Sequence, residues 1–300
     1  MLPLPDSSTD HLALADWLEL VALLSDDLNG STGDLESALG RGSLLDPEGA
    51  GALDRKVLDV FSELELRATA AGPGYPFSVT GPVLQALPNW RDRSSYVFCL
   101  CLSYFRWKRP RGSPYFPPRL FEALCVEAAR HWVGGCAIRF GSPRVPQDLP
   151  ASLHKALDVL CQELIREGGG FRKQPYRVHW SGDYGLDLVA WRDWPDGLSG
   201  KIILFGACAS GQDWEDKTDD LNLEDFFKLR MMDYPESPVM PAFFVPHRVP
   251  PSRWRETTVE AGIIFDRCRI ASLAPKLPSG GAHGDGCAWI EAILAAQESS

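Results

Sequence analysis

An acidic residue stands inside a segment whose pattern otherwise predicts a buried strand. Leu186, Leu188 and Ala190 alternate with Asp187, Val189 and Trp191, which predicts a strand over 186–191, and the turn-forming residues 195–197 end it. A second strand is predicted over 201–209, because 202–205 is apolar at every position, as in a strand covered on both faces. Burying the carboxylate of Asp187 alone would cost several kcal/mol. We therefore expect Asp187 to be paired with a base, hydrogen-bonded or bound to a cation.

The end of the second predicted strand has two distinct faces. Because side chains alternate along a strand, Ala207 and Ala209 project from the same face as Ile203 and Phe205. Cys208 should project from the opposite face. The side chains at positions 207 and 209 therefore lie on the same face of the predicted sheet.

These two strands resemble the core of the restriction-endonuclease-like PD-(D/E)xK nucleases over residues 150–275. That pattern has an aspartate ending one strand and an acid-x-lysine pair on the next, here GLDLVAW with Asp187 and GKIILFGACASG with positions 207 and 209. The chain is similar to a prokaryotic subgroup that reads GQCAxGxxWxxK, with glutamine replacing the acid and the lysine following a tryptophan. Trp214 and Lys217 stand at that spacing.

The resemblance implies an α/β fold, with a mixed central sheet flanked by helices and a mainly helical N-terminal region. It also implies a DNA endonuclease that uses Mg²⁺ or Mn²⁺ and serves antiviral defence, with a second defence protein as a possible partner. Asp187 would hold the metal, and Lys217 would position the nucleophile or neutralise developing charge. The alternative is a DNA-binding or partner-binding subunit that keeps the fold without the chemistry.

Position 207 departs from that pattern. The side chain of Ala207 can neither bind a metal nor accept a hydrogen bond. Either the chain is inactive by nature, or a functional side chain has been replaced there, and the intact surrounding motif favours replacement.

The resemblance also implies a further carboxylate from a helix that precedes Asp187. Apolar residues at helical spacing predict that helix over 152–167. At 100° per residue, Glu167 lies about 60° from the centre of the apolar face, Glu163 about 100° and Asp158 about 120°. Glu167 is therefore the first candidate ligand and Glu163 the second. The alternative for Glu167 is a surface acid at a frayed helix end.

Asp187 and Lys217 also have structural alternatives. Asp187 could cap a turn or pair with an arginine, and Lys217 could balance its acidic neighbours in DWEDKTDD. The chain contains no Walker loop, no HExxH and no GxSxG motif. Nucleotide hydrolysis, zinc proteolysis and esterase chemistry therefore have no support from motifs in the sequence.

A basic segment is the candidate DNA contact. The net charge of −10 is that of residues 1–67, which hold 14 acids and four bases, so the rest of the chain is neutral in sum. Aromatic residues alternate with bases between 106 and 119, a composition that suits phosphate binding and base stacking. The candidate residues are Arg106, Lys108, Arg109 and Arg111. The alternative is a solvated, proline-stiffened connector.

Composition sets the remaining expectations. With 300 residues and 45% hydrophobic content, the chain can bury a sizeable core. It lacks an apolar run of ~20 residues and a recognisable signal sequence, so we expect a cytoplasmic protein without membrane contact. Eight cysteines without a CxxC pair predict reduced thiols rather than disulfides or zinc. Prolines after residue 140 predict a boundary between an N-terminal region, 1–145, and a nuclease-like domain, 146–300.

Overall fold

A computed structural model describes residues 2–5, 10–40, 47–105, 116–144, 149–173, 183–278 and 285–298. The helices are α1 (His11–Leu24), α2 (Thr32–Gly40), α3 (Pro47–Ala71), α4 (Ser94–Tyr104), α5 (Pro117–Val133), α6 (Leu153–Val159), α7 (Leu223–Arg230), α8 (Pro251–Ala261), α9 (Arg267–Leu273) and α10 (Gly286–Glu298). The strands are β1 (Asn29–Ser31), β2 (Phe77–Thr80), β3 (Val83–Ala86), β4 (Cys136–Arg139), β5 (Leu188–Arg192), β6 (Ile202–Cys208), β7 (Val239–Phe244) and β8 (Ile263–Phe265). The predicted α/β class with a mixed sheet is confirmed.

The chain divides into two units at positions that differ from the predicted boundary. One unit comprises Met1–Pro117 with Arg267–Ser300, and the other comprises Pro118–Asp266. Residues before 145 already contribute β4 to the sheet of the second unit, because β4 pairs with β5. The C-terminal helices, which the sequence analysis assigned to the nuclease-like part, belong to the first unit.

A buried ion-pair network explains why the C-terminal segment joins the first unit. Arg67 on α3 lies 2.6 Å from Asp16 and 2.9 Å from Glu19, both on α1. Arg267 on α9 donates to both carboxylate oxygens of Asp16, at 2.8 and 2.9 Å. Buried charges must be paired, so this network fixes α9 against α1 and α3. The same unit contains a small antiparallel sheet in the order β1-β3-β2.

The second unit is built on a five-stranded sheet in the order β4-β5-β6-β7-β8. β4, β5 and β6 pair antiparallel, whereas β6, β7 and β8 run parallel. The central strand β6 is buried from Ile203 to Ala207, as its apolar run predicts. The turn residues 195–197 lie in the connection between β5 and β6, as predicted.

Helices cover both faces of this sheet. On one face, the Phe205 ring contacts the rings of Phe226 and Phe227 on α7, with centroids 5.7 and 5.9 Å away. On the other face, Trp132 of α5 packs edge-on against Phe265 of β8, at 5.6 Å. The sheet therefore lies between α5 on one side and α6 and α7 on the other.

Candidate functional site

The candidate site lies where β5 begins and β6 ends. Asp187 immediately precedes β5, and the antiparallel register pairs Leu188 with Gly206, so Asp187 stands opposite Ala207. The amide of Asp187 donates to the Gly206 carbonyl at 2.9 Å. Its own carbonyl accepts from the amides of Phe140, at 2.7 Å, and Gly141, at 2.9 Å. Neighbouring chain segments thus fix the backbone of Asp187 on both sides, although the residue lies one position before the strand.

The Asp187 carboxylate is half-buried and receives little compensation. Its Oδ2 accepts a hydrogen bond from the Cys208 amide at 2.7 Å. Its Oδ1 lies so close to Gly141 that a Cβ there would come within 2.9 Å of it. Burial raises the pKa of Asp187 to about 7, against the lowering effect of the Cys208 hydrogen bond. Among the described residues, no Lys, Arg or His side chain forms an ion pair with it.

Three further acids lie close enough to repel the negative charge of the Asp187 carboxylate. Glu122 on α5, Asp183 and Asp220 each raise its pKa by charge repulsion. Burial also raises the pKa of Glu122, against the opposing effect of Arg139, whose Nη1 lies 2.9 Å from Glu122 Oε2. We call Asp187, Glu122, Asp183 and Asp220 the acidic cluster.

The other two acids of the cluster, Asp183 and Asp220, have different cationic neighbours. Asp183 is paired with the guanidinium of Arg144. Burial raises the pKa of Asp220, and the charge of Lys217 opposes that rise. A cavity of about 570 Å³ lies beside these two acids, with Tyr184, Phe226 and Leu229 among its lining residues. Two of the four acids of the cluster, Asp183 and Asp220, therefore line an open space.

Lys217 lies close enough to the acidic cluster to act on it electrically. It ends a 3₁₀ turn, Trp214–Lys217, and its Nζ is 3.0 Å from Asp213 Oδ2. That pair agrees with the alternative that Lys217 balances its acidic neighbours. Its side chain is 39% exposed and also acts on Asp220, a member of the acidic cluster.

Ala207 lies in an apolar environment. It is 5% exposed and belongs to a hydrophobic cluster on the face of the sheet away from Cys208. The other buried members are Ala209, Trp214, Phe243, Val245, Val249, Ala261 and Ile264. Position 207 therefore adjoins Asp187 along the register but contributes no oxygen.

Glu167, the first predicted ligand from a helix, is not brought to Asp187. It is buried and accepts hydrogen bonds from the amide and hydroxyl of Ser237, at 2.7 and 2.6 Å, with Lys201 Nζ 3.9 Å away. Lys201 precedes β6, whereas Cys208 ends it. Seven residues of strand separate these positions, so Glu167 lies about 20 Å from the acidic cluster.

Glu163, the second predicted ligand, is exposed. The predicted helix over 152–167 leaves α-helical geometry after Val159 and continues as a π-helical turn, Leu160–Leu164. A π turn does not keep the 100° spacing from which the faces of Glu163 and Glu167 were calculated.

The helix that does bring a carboxylate close enough to act on Asp187 is α5, with Glu122. The sequence offered a signal for it, since Glu122 flanks the apolar stripe of α5 that includes Phe121 and Cys125. No site residue was predicted on this helix. The predicted DNA contacts Arg106, Lys108, Arg109 and Arg111 lie outside the described residues.

The donor set fits a divalent metal only in part. Asp187 and Glu122 offer carboxylate oxygens, the ligands that Mg²⁺ and Mn²⁺ prefer, but Ala207 offers none. Within the described ranges, no three His, Cys, Asp or Glu side chains form a group that could hold a metal ion.

No family model, curated protein or solved structure matches this chain. The fold and the site together define a mixed α/β protein with an under-compensated acidic cluster at one end of its central strands. Of the helices in the described ranges, none has both the length and the apolar character needed to span a bilayer.

Proposed function

We propose that the second unit is a metal-dependent nuclease domain that hydrolyses phosphodiester bonds of DNA, and that the alanine at 207 limits its activity. One observation carries the proposal: a half-buried Asp187 with a pKa of about 7 has no cationic partner among the described side chains and stands opposite position 207. A bound cation would stabilise a half-buried carboxylate that has no cationic side chain beside it. The location of Asp187 and position 207 at the same end of adjacent strands agrees with the resemblance to PD-(D/E)xK nucleases.

Each residue of the site has a defined task in this proposal. Asp187 and Glu122 hold the metal, and the Cys208 amide and the Arg139 guanidinium orient these two carboxylates. A bound Mg²⁺ or Mn²⁺ would polarise the phosphodiester and lower the pKa of a water ligand. Lys217 neutralises negative charge on the transferring phosphate.

Replacing Ala207 tests the proposal. Ala207→Gln and Ala207→Glu each place an oxygen beside Asp187, and we expect Mg²⁺-dependent DNA cleavage to increase by about 10²- to 10³-fold, the usual effect of restoring one charge-stabilising group. Cleavage should be measured on both duplex and single-stranded DNA. Adding Asp187→Asn to either variant should abolish the gain. If both variants fold but neither cleaves DNA, the nuclease proposal fails.

The burial of Ala207 favours a second candidate function. An alanine 5% exposed within an apolar cluster suits a DNA-binding or partner-binding subunit that has lost the chemistry. Such a subunit should bind its target equally well with Asp187→Asn and with Lys217→Ala. Co-purification of a second protein from the native host would support a role within a defence complex, whereas only the repaired variants report on catalysis.

A further inference from the structure

The first unit exposes two leucines on a single helix. Leu58 and Leu66, both on α3, are 66% and 53% exposed. Among the described residues of this unit, they are the large apolar side chains that lie open to water. Two exposed leucines that share one helix favour a protein contact more than leucines scattered singly over a surface do.

The two leucines lie on the side of α3 that faces away from the core. Val60 and Leu64 are fully buried and mark the inner side of the helix. At 100° per residue, Ser62 lies about 160° from each of them, and Leu58 and Leu66 lie about 40° on either side of Ser62. The leucines are about 12 Å apart along the helix axis. Because Ser62 is small, a shallow groove separates them, which suits the packing of another helix.

Two acids flank the leucines. Asp59 and Glu65 are exposed, and each lies about 60° from Ser62, one beyond each leucine. Neither acid forms an ion pair with a described residue. Asp54 and Arg55, which are also exposed, precede this stretch and cancel each other in charge. The outer side of α3 therefore combines an apolar centre with two negative charges at its rim.

The charge of the surrounding sequence limits what can bind there. Residues 1–67 hold 14 acids and four bases, which accounts for the net charge of −10 of the whole chain. Such a region repels nucleic acid and anionic membrane surfaces. A second copy of the chain is also disfavoured, because a two-fold dimer brings the same acids together. Charge complementarity therefore favours a basic segment of another protein.

We propose that the outer side of α3 docks a basic amphipathic helix of a partner protein. We call this surface the α3 face, and it comprises Leu58, Asp59, Ser62, Glu65 and Leu66. Apolar side chains of the partner helix pack against the two leucines and fill the groove at Ser62. Lysines or arginines of the partner pair with the two acids, which set the orientation of the helix and the rate of association.

Two matched peptides test the proposal on the full chain. The probe is a fluorescein-labelled helical peptide with three repeats of LKKLLKL, and the matched peptide carries glutamate in place of every lysine. Fluorescence anisotropy measures binding. We expect the lysine peptide to bind with a Kd that rises with salt, and the glutamate peptide not to bind. Absence of binding by the lysine peptide would overturn the proposal.

Substitutions on α3 locate the binding surface. Leu58→Ala/Leu66→Ala removes the apolar contacts and keeps the helix, because alanine has the highest helix propensity. We expect the Kd of the lysine peptide to rise at least about tenfold. The matched control is Leu198→Ala, since Leu198 is 65% exposed but lies in the second unit, and its Kd should equal that of the parent. Circular dichroism checks that each variant is folded.

Two results would assign the exposed leucines to something other than a basic helix. If the parent and the double alanine variant bind the lysine peptide equally well, the peptide binds elsewhere and the proposal fails. Sedimentation of the parent over a range of concentrations tests for self-association. A dimer that Leu58→Asp dissociates would give the α3 face to a second copy of the chain and would also overturn the proposal.

Discussion

The two ends of β6 present buried acids in opposite conditions. At the Lys201 end, Lys201 Nζ donates to the Ile165 carbonyl at 2.7 Å and to Asp193 at 2.8 Å, and Glu167 accepts two hydrogen bonds from Ser237. At the Asp187 end, the acidic cluster includes a carboxylate without any ion-pair partner among the described residues. Among the described residues, Lys201 lies beside both Glu167 and Asp193, whereas Asp187 has no ion-pair partner.

The pKa values express this difference. Burial acts to raise the pKa of Asp193, but the hydrogen bond and charge of Lys201 lower it overall. Burial, together with the charges of nearby acids, raises the pKa of Asp187 to about 7. An acid whose pKa is lowered in the folded state stabilises the fold at neutral pH, whereas an acid whose pKa is raised lowers stability there, and a cation from solution would relieve that loss.

The largest expected effect is at the Lys201 end. Lys201→Met leaves Glu167 and Asp193 without their ammonium partner, and we expect the free energy of unfolding to fall by about 3–5 kcal/mol. Urea denaturation measures the change. Lys217→Met is the matched control, since its ion pair is 39% exposed on the lysine side and should contribute less than about 1 kcal/mol. Equal effects of the two substitutions would contradict the contrast between the two ends.

Asp187→Asn should increase the free energy of unfolding, whereas Lys201→Met should lower it. The folded-state pKa of Asp187 lies above its unfolded value of 3.8, so the folded protein binds the proton more tightly, and stability falls as pH rises from about 4 to 7. Asp187→Asn removes this loss. Allowing for solvent screening, we expect the variant to be about 1–3 kcal/mol more stable than the parent at pH 8.

The pH dependence distinguishes this cause from a general packing effect. At about pH 3 and below, where Asp187 is largely protonated in both states, the stability difference between Asp187→Asn and the parent should shrink to a small, constant value. Thermal unfolding at about pH 3 and at about pH 8 provides the comparison. A variant less stable than the parent at pH 8 would show that Asp187 has an unrecognised favourable partner.

A smaller effect, on Mn²⁺ affinity, distinguishes Glu122 on α5 from Glu163 on the predicted helix over 152–167. In the Ala207→Gln background, Glu122→Gln should weaken Mn²⁺ binding by about tenfold, a typical effect of perturbing a metal site. Glu163→Gln, on an exposed side chain, should leave it unchanged. Calorimetric titration measures both. Weaker binding with Glu163→Gln alone would return the ligand role to the helix that the sequence favoured.

Local patterns predicted much of the fold. The apolar run in 202–205 and the turn residues 195–197 gave β6 and the preceding turn, because burial on both faces and turn chemistry leave direct signs in the sequence. Asp187 was identified as a buried acid because its polarity conflicts with its surroundings. These signals depend only on neighbours along the chain.

The partner of Asp187 could not be found in this way. Glu167 hydrogen-bonds Ser237, 70 residues away, and helical periodicity carries no information about that contact. The π-helical turn also breaks the uniform spacing assumed for the helix over 152–167. Recognising Glu122 requires knowing that α5 lies across the face of β6 that carries Cys208, which is a property of the folded sheet.

The ionisation of Asp187 tests the central claim most directly. NMR titration of its carboxyl carbon in the metal-free protein, assigned with Asp187→Asn, should give a midpoint at about pH 7. Adding Mg²⁺ to the Ala207→Gln variant should lower that midpoint, because a bound cation favours the carboxylate. A midpoint near the ordinary value of 3.8, unaffected by Mg²⁺, would contradict a cation-demanding site at this end of β6.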